Sequence, residues 1–197
     1  LVGSEMCIRD RSTTTHKFLI MMKRNRFRTC LCLSFFFLSL LPLKAQDNQV
    51  SGLNARQFHK YWKVESESPD YKVTFRGDTA EIVSPKGLTL WRKEKMSGKV
   101  TIEYDACVVS ETEKDRLSDL NCFWMVSDPK HPDNLWKREK WRNGIFLNCY
   151  SLQLYYMGYG GNHNSTTRFR RYDGNEAGIT DPQARPAVLK EYTDAEH

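Results

Sequence analysis

Residues 150–172 read YSLQLYYMGYGGNHNSTTRFRRY, and the alternation within them decides the fold class. Leu152, Leu154 and Tyr156 alternate with Gln153, Tyr155 and Met157. A turn rich in Gly, Asn and Ser follows, and then a second run, TTRFRRY. Successive side chains of a strand point to opposite faces, so this pattern predicts a β-hairpin with one apolar and one polar face. On this reading Leu152, Leu154, Tyr156 and Phe169 face the core. Gln153, Tyr155, Arg168, Arg170 and Tyr172 line the other face. That face carries aromatic planes, amide and guanidinium donors, and no carboxylate.

Strand patterns recur on both sides of the hairpin, at 71–76, 79–83, 88–92, 100–109, 121–127, 144–150 and 187–192. Gly77-Asp78, Pro85-Lys86-Gly87, Ser97-Gly98 and Gly160-Gly161-Asn162 supply turn chemistry between several of them. Only 111–120 and 134–141 carry a helical pattern. Many short strands with little helix predict an all-β fold, a β-sandwich or jelly roll. Two long connections, 128–142 and 173–186, are candidate functional loops. The chain stops at His197 just after a strand-like run, so the sandwich is expected to be incomplete at its C-terminus.

The formal charge of +6 lies entirely at one end. Residues 1–45 carry 8 Lys+Arg and 2 Asp+Glu, which leaves 30 − 8 = 22 and 24 − 2 = 22 for residues 46–197. The body is neutral, which removes the electrostatic argument for nucleic-acid or membrane-surface binding. Residues 1–11 resemble a translated sequencing-adapter artefact, and 1–20 are read as a non-native upstream segment. Lys23, Arg24, Arg26 and Arg28 precede the apolar run CLCLSFFFLSLL, which is too short to span a bilayer. With the small residue Ala45 after it, 21–45 reads as a signal peptide. Residues 46–57 form a linker, and 58–197 a single domain. The predicted location is secreted or periplasmic, with no stable membrane insertion after cleavage. Cys107, Cys122 and Cys149 have no metal spacing and sit in separate strand-like runs, so unbridged thiols are expected.

The hairpin suggests a sugar-facing surface. A β-eliminating lyase must neutralise a uronate carboxylate, remove a proton and protonate the leaving oxygen. Tyr155, His163 and Arg168 are the candidate catalytic set. Gln153, Asn164, Arg170 and Trp136 are the candidate substrate-binding residues, with Lys137, Arg138 and Lys140 around Trp136 favouring an anionic glycan. A solvated polar face with a tight turn is the plain alternative. A hydrolase needs paired carboxylates, and residues 150–172 contain none. Glu103 and Asp105 read as solvent-facing. No cofactor and no catalytic metal are expected, although Asp128 and Asp133 could help a loop seat a structural calcium ion. Trp62, Trp91 and Trp124 read as packing aromatics.

The blocks GLTLWRKEKMSGKVTIEYDACVV, DLNCFWMVSDP, RNGIFLNCYSLQLYYMGYGGNHNSTTRFRRYDG and RPAVLKEYTDAEH resemble an uncharacterised domain family of secreted proteins from polysaccharide-degrading Gram-negative bacteria. The resemblance spans residues 58–197. It implies a concanavalin-A-like jelly roll, the superfamily of lectins, glucanases and polysaccharide lyases, and a chain that continues past His197. Residues 142–146, RNGIF, are also distantly similar to a strand of the keto-disaccharide hydrolase-like jelly rolls. No catalytic set comes with the family. The expected function is binding or breakdown of a polysaccharide on a concave sheet face, with a lyase-like or hydrolase-like enzyme ranked ahead of a non-catalytic carbohydrate-binding module. A structural or interaction module is the third reading.

Overall fold

The computed structural model describes residues 5–8, 16–21, 53–77, 79–109 and 120–196, with side chains from Leu53 to Val188 except that of His163. The apolar run at 30–41 and most of the helical pattern at 111–120 lie outside the described residues.

The strands are β1 (Glu5–Ile8), β2 (His16–Met21), β3 (Trp62–Ser66), β4 (Lys72–Arg76), β5 (Thr79–Ser84), β6 (Leu88–Arg92), β7 (Asp105–Val109), β8 (Leu120–Ser127), β9 (Gln153–Gly160), β10 (Thr166–Asp173) and β11 (Leu189–Glu196). They form two sheets, ordered β11-β10-β9-β8-β1-β6-β3 and β4-β5-β2-β7. Every pairing is antiparallel. The chain is therefore strand-rich, as its alternation predicts. Short helices are α1 (Phe58–Tyr61), α2 (Glu139–Arg142), α3 (Gly161–Asn164), α4 (Ala177–Thr180) and α5 (Arg185–Val188), with 3-10 turns at Leu135–Arg138, Phe146–Ser151 and Pro182–Ala184.

The larger sheet is packed on both faces. On one face Trp62, Leu88 and Leu90 meet Ala80 and Ile82 of the smaller sheet, with Val73, Phe75 and Ala106 beside them. On the other, Trp91, Phe123, Leu152, Leu154, Tyr156 and Tyr172 are covered by Tyr150, Phe146, Trp136, Ile179 and Val188 from the helical segments. β6 belongs to both cores, so every one of its residues is buried. Two-sided burial explains why apolar residues stand on both faces of LTLWR, Leu88 and Leu90 on one and Trp91 on the other. These are called the sheet side and the helix side below.

Three expectations are corrected here. Residues 144–150 are not a strand: α2 ends on Asn143 (φ 47°) and Gly144 (φ 69°), and the chain continues as a 3-10 helix. Consecutive left-handed residues terminate a helix, and a short apolar run such as FLNCYS does not distinguish helix from strand by its period. The run at 100–109 pairs only from Asp105 onward. A non-native segment and a cleaved signal, the reading given to residues 1–45, would pack against nothing, yet β1 joins β6 to β8 and β2 joins β5 to β7. Ladder hydrogen bonds use the backbone and need no particular side chains, so the short apolar run FLIM within HKFLIM suffices to enter a sheet. No helix among the described residues is long and apolar enough to cross a membrane.

Candidate functional site

The register of the β9–β10 hairpin assigns each candidate residue to a face. Tyr156 lies opposite Arg170, Gly158 opposite Arg168 and Leu154 opposite Tyr172. Tyr155 lies opposite Arg171, and Met157 opposite Phe169. Paired residues share a face. Even-numbered residues of both strands therefore point to the helix side, and odd-numbered ones to the sheet side. Leu152 and Leu154 are buried and Gln153 is exposed on the opposite face, as the alternation predicts. Phe169, Arg168, Arg170 and Tyr172 occupy the reverse of their predicted faces. Tyr155 thus does not converge with Arg168 and Arg170, because the sheet lies between them.

On the helix side, β8, β9 and β10 build a polar strip next to the aromatic core. Asn121 pairs with Gly158, which pairs with Arg168, and Phe123 pairs with Tyr156, which pairs with Arg170. The Tyr156 phenol donates to Asn121 Oδ1 at 2.9 Å. The Arg170 guanidinium carbon stands 6.0 Å from the centre of the Tyr156 ring. Asn121 is 1% exposed and its Nδ2 has no hydrogen-bond partner among the described residues. Thr166, at the start of β10, is 6% exposed and its Oγ1 is also unpartnered. A buried amide donor without a partner costs about 1–3 kcal/mol, so natural folds keep such groups where something satisfies them. At Gly158 a methyl group would overlap the Tyr156 phenol, so the missing side chain is what lets that ring lie along the strand.

Deeper along the same face, Glu65 on β3 binds Arg142 at the end of α2. Arg142 Nη2 donates to Oε1 at 2.7 Å, and Nε donates to Oε2 at 3.3 Å. Both side chains are buried. Burial pushes the Glu65 carboxyl above its ordinary value even though Arg142 opposes that shift. Arg142 also lies over the Trp91 ring, 5.3 Å from its centre. This pair anchors the helical cover to the sheet.

A second ion network joins the two long connections. Arg138 Nε and Nη2 donate to the two oxygens of Asp128 at 2.7 and 2.9 Å, and Nη1 donates to Glu176. Lys130 adds a 2.8 Å contact to Glu176. Burial pushes the Asp128 carboxyl upward, but the Arg138 hydrogen bonds, the Lys130 amide and nearby positive charge outweigh it and hold the carboxyl below its ordinary value. Glu176 is held low chiefly by Lys130, with Arg138 adding to it. Asp128 therefore serves as the partner of Arg138 and, through its bond from the Lys130 amide, as a turn residue. No group of three or more metal-binding side chains occurs among the described residues.

The remaining candidates are dispersed. Tyr155 is half-buried on the sheet side, where it stacks on Trp124 (5.9 Å) and Phe169 (6.0 Å). Gln153 Oε1 accepts from Ser127 Oγ at 3.4 Å. Asn164 is exposed with φ 64° at the end of α3, and the His163 side chain lies outside the described residues. Trp136 packs edge-on against Trp91 at 6.4 Å with Lys63 over its other face, so it is a core-rim residue. Trp141, one turn later, is the exposed one. Cys107, Cys122 and Cys149 form no disulfide among the described residues, and Cys107 is exposed.

Asn121, Tyr156 and Thr166 are the helix-side residues that the sequence reading passed over. The available signal was Tyr172. Counted as a core aromatic with Leu154, it carries Arg170 and Arg168 to the same face by parity. Comparison with curated proteins and with solved structures returns no similar chain. Residues 82–197 match the model of a domain of unknown function, DUF6250, and the chain belongs to that family.

Proposed function

We propose that this protein is a carbohydrate-recognition domain, its two sheets the halves of a jelly-roll sandwich, that binds a polysaccharide on the helix-side strip of β8–β10. The observation that carries this reading is the buried, unpartnered amide of Asn121 beside Tyr156, Arg168 and Arg170. Sugars present hydroxyl acceptors and flat apolar ring faces, which amide and guanidinium donors next to an aromatic ring complement. The neighbouring strand β11 sets Glu191, Asp194 and Glu196 opposite Arg170, Arg168 and Thr166, so the aromatic and amide groups of Tyr156 and Asn121, rather than net positive charge, support the sugar reading. An eliminative reaction on this face would use the Tyr156 phenol as its proton-transfer group, since Tyr155 stands on the other side of the sheet.

The test is a binding screen of the full chain against acidic and neutral plant and algal glycans, with ultraviolet detection of unsaturated uronate in the same samples. Arg170→Ala should weaken acidic glycans by about tenfold, the loss expected from removing one charge-assisted hydrogen bond. Asn121→Ala should weaken acidic and neutral glycans alike. Equal binding by parent and both variants would refute the assignment.

A second reading, an interaction module, is favoured by the sheet side of the same strands. There the Trp124–Tyr155–Phe169 stack borders Met157 and Tyr159, which are 38% and 56% exposed. Substitution of Tyr159 and Met157 by serine separates the two readings, because glycan binding on the opposite face should not change.

A further inference from the structure

We infer that Trp141 is a sugar-stacking platform forming an additional subsite for an anionic glycan, an inference that rests on the glycan reading above. Large apolar side chains are usually covered, yet Trp141 is 44% exposed. One face of the indole is backed by the Arg138 guanidinium, 4.9 Å from the ring. Arg138 is itself fixed, held bidentately by the fully buried Asp128 carboxylate and again by Glu176. The backbone at Trp141 is equally constrained. Its carbonyl accepts from Asn148 Nδ2 at 3.0 Å, and the next residue is the buried Arg142 bound to Glu65.

An exposed aromatic that is rigid before a ligand arrives loses little entropy when a ring stacks on it. The backing cation does not set the local charge, because Arg138 and Lys130 are balanced by Asp128 and Glu176. Lys137 and Lys140 are exposed and lie within four residues of Trp141 in the chain, on the 3-10 turn that leads into α2 and on α2 itself. The segment therefore presents an exposed apolar plane with two exposed lysines close to it in the chain, a combination that suits a sugar ring bearing a carboxylate. Trp136, the more obvious loop tryptophan in the sequence, is less available, because it packs partly buried against Trp91 with Lys63 over its ring.

The experiment titrates the full chain with oligogalacturonates of increasing length, using cello-oligosaccharides as the neutral control. Because Trp141 forms a subsite beyond the β8–β10 strip, longer oligogalacturonates should bind the parent more tightly than short ones. Trp141→Ala should remove that gain, about tenfold for the longest oligomer, while Trp141→Phe keeps most of it. Melting temperature should fall only modestly, by the packing of the half-covered ring on Arg138. Should Trp141→Ala unfold, acrylamide quenching of the parent decides instead: bound oligomer should shield the exposed indole, and unchanged quenching at saturation overturns the proposal. An unchanged length dependence in Trp141→Ala, with Arg170→Ala still defective, sinks the subsite and leaves the β8–β10 site standing. A parent that binds no member of either series sinks both.

Discussion

Glu65 and Arg142 show how a single pair ties sequence to architecture. Both are buried, and a charge left alone in that position has nowhere to go. Arg142→Met should therefore cost about 3–5 kcal/mol in urea unfolding, because it strands the Glu65 carboxylate. The double variant Glu65→Leu/Arg142→Met should cost clearly less than the single one, since it removes both desolvation penalties together. A double variant that is worse than the single would show that the pair is net stabilising. The Arg138 network gives a pH dependence of defined sign. Asp128 and Glu176 both titrate below their ordinary values in the folded chain. Their stabilisation is complete above the unfolded carboxyl pKa of about 4 and is lost as pH falls through the lower folded values. Glu65, raised by burial, runs the other way: its contribution is present at low pH and is lost as pH rises through its folded value. Melting temperature recorded from neutral to acid pH should fall, and Asp128→Asn should flatten that fall while lowering the neutral value. An unchanged slope in Asp128→Asn would mean that other carboxyls govern acid unfolding.

At the scale of the element, the β9–β10 hairpin and the α2 terminus carry the argument. Tyr156 is the hydrogen-bond donor to Asn121 and a member of the helix-side core. Tyr156→Phe should cost about 1–3 kcal/mol, because it leaves Asn121 without either partner in a buried position. Leu152→Ala in the same hairpin should cost about 2–5 kcal/mol through the cavity it opens. Denaturant midpoints of the two variants check both, and a silent Tyr156→Phe would mean that water already serves the Asn121 oxygen. At the α2 terminus, Gly144 adopts φ 69°, and a Cβ there would sit 2.7 Å from the Glu65 carbonyl oxygen. Gly144→Ala should consequently destabilise by more than the usual glycine-to-alanine penalty at positive φ, because backbone atoms of β3 would have to move as well.

The whole molecule depends on how its sheets are closed. β1 and β2 come from residues that the sequence assigns to an upstream segment and to the start of a signal peptide, yet they lie inside the two sheets. A chain beginning at Gln46 lacks both. It would expose the inner edges of β6, β8, β5 and β7, and unpaired ladders of this kind recruit other strands. The Gln46 chain should therefore associate or precipitate at concentrations where the 197-residue chain does not, as light scattering on a sizing column would show. A monodisperse, equally stable Gln46 chain would mean that these edges close in another way.

Strand content, the excess charge of residues 1–45 and the burial of Leu152 and Leu154 were legible in the amino-acid order, because each depends on local period or on composition. The apolar alternation of Ala80 and Ile82 reports a single buried face in the same way. Tertiary structure decided what local period cannot contain. Which parity of β10 meets which parity of β9 depends on the geometry of the Gly161–Asn164 turn, and a change of one residue exchanges the faces of Arg168 and Phe169. Whether Trp136 or Trp141 is covered depends on where α2 lands, which Glu65 and Arg142 determine from residues far apart in the chain. Likewise Asn121 and Tyr156 meet only because β8 pairs with β9. Alternation specifies that a strand has two faces, whereas the identity of each face is set by partners distant in sequence, and that assignment placed the candidate site.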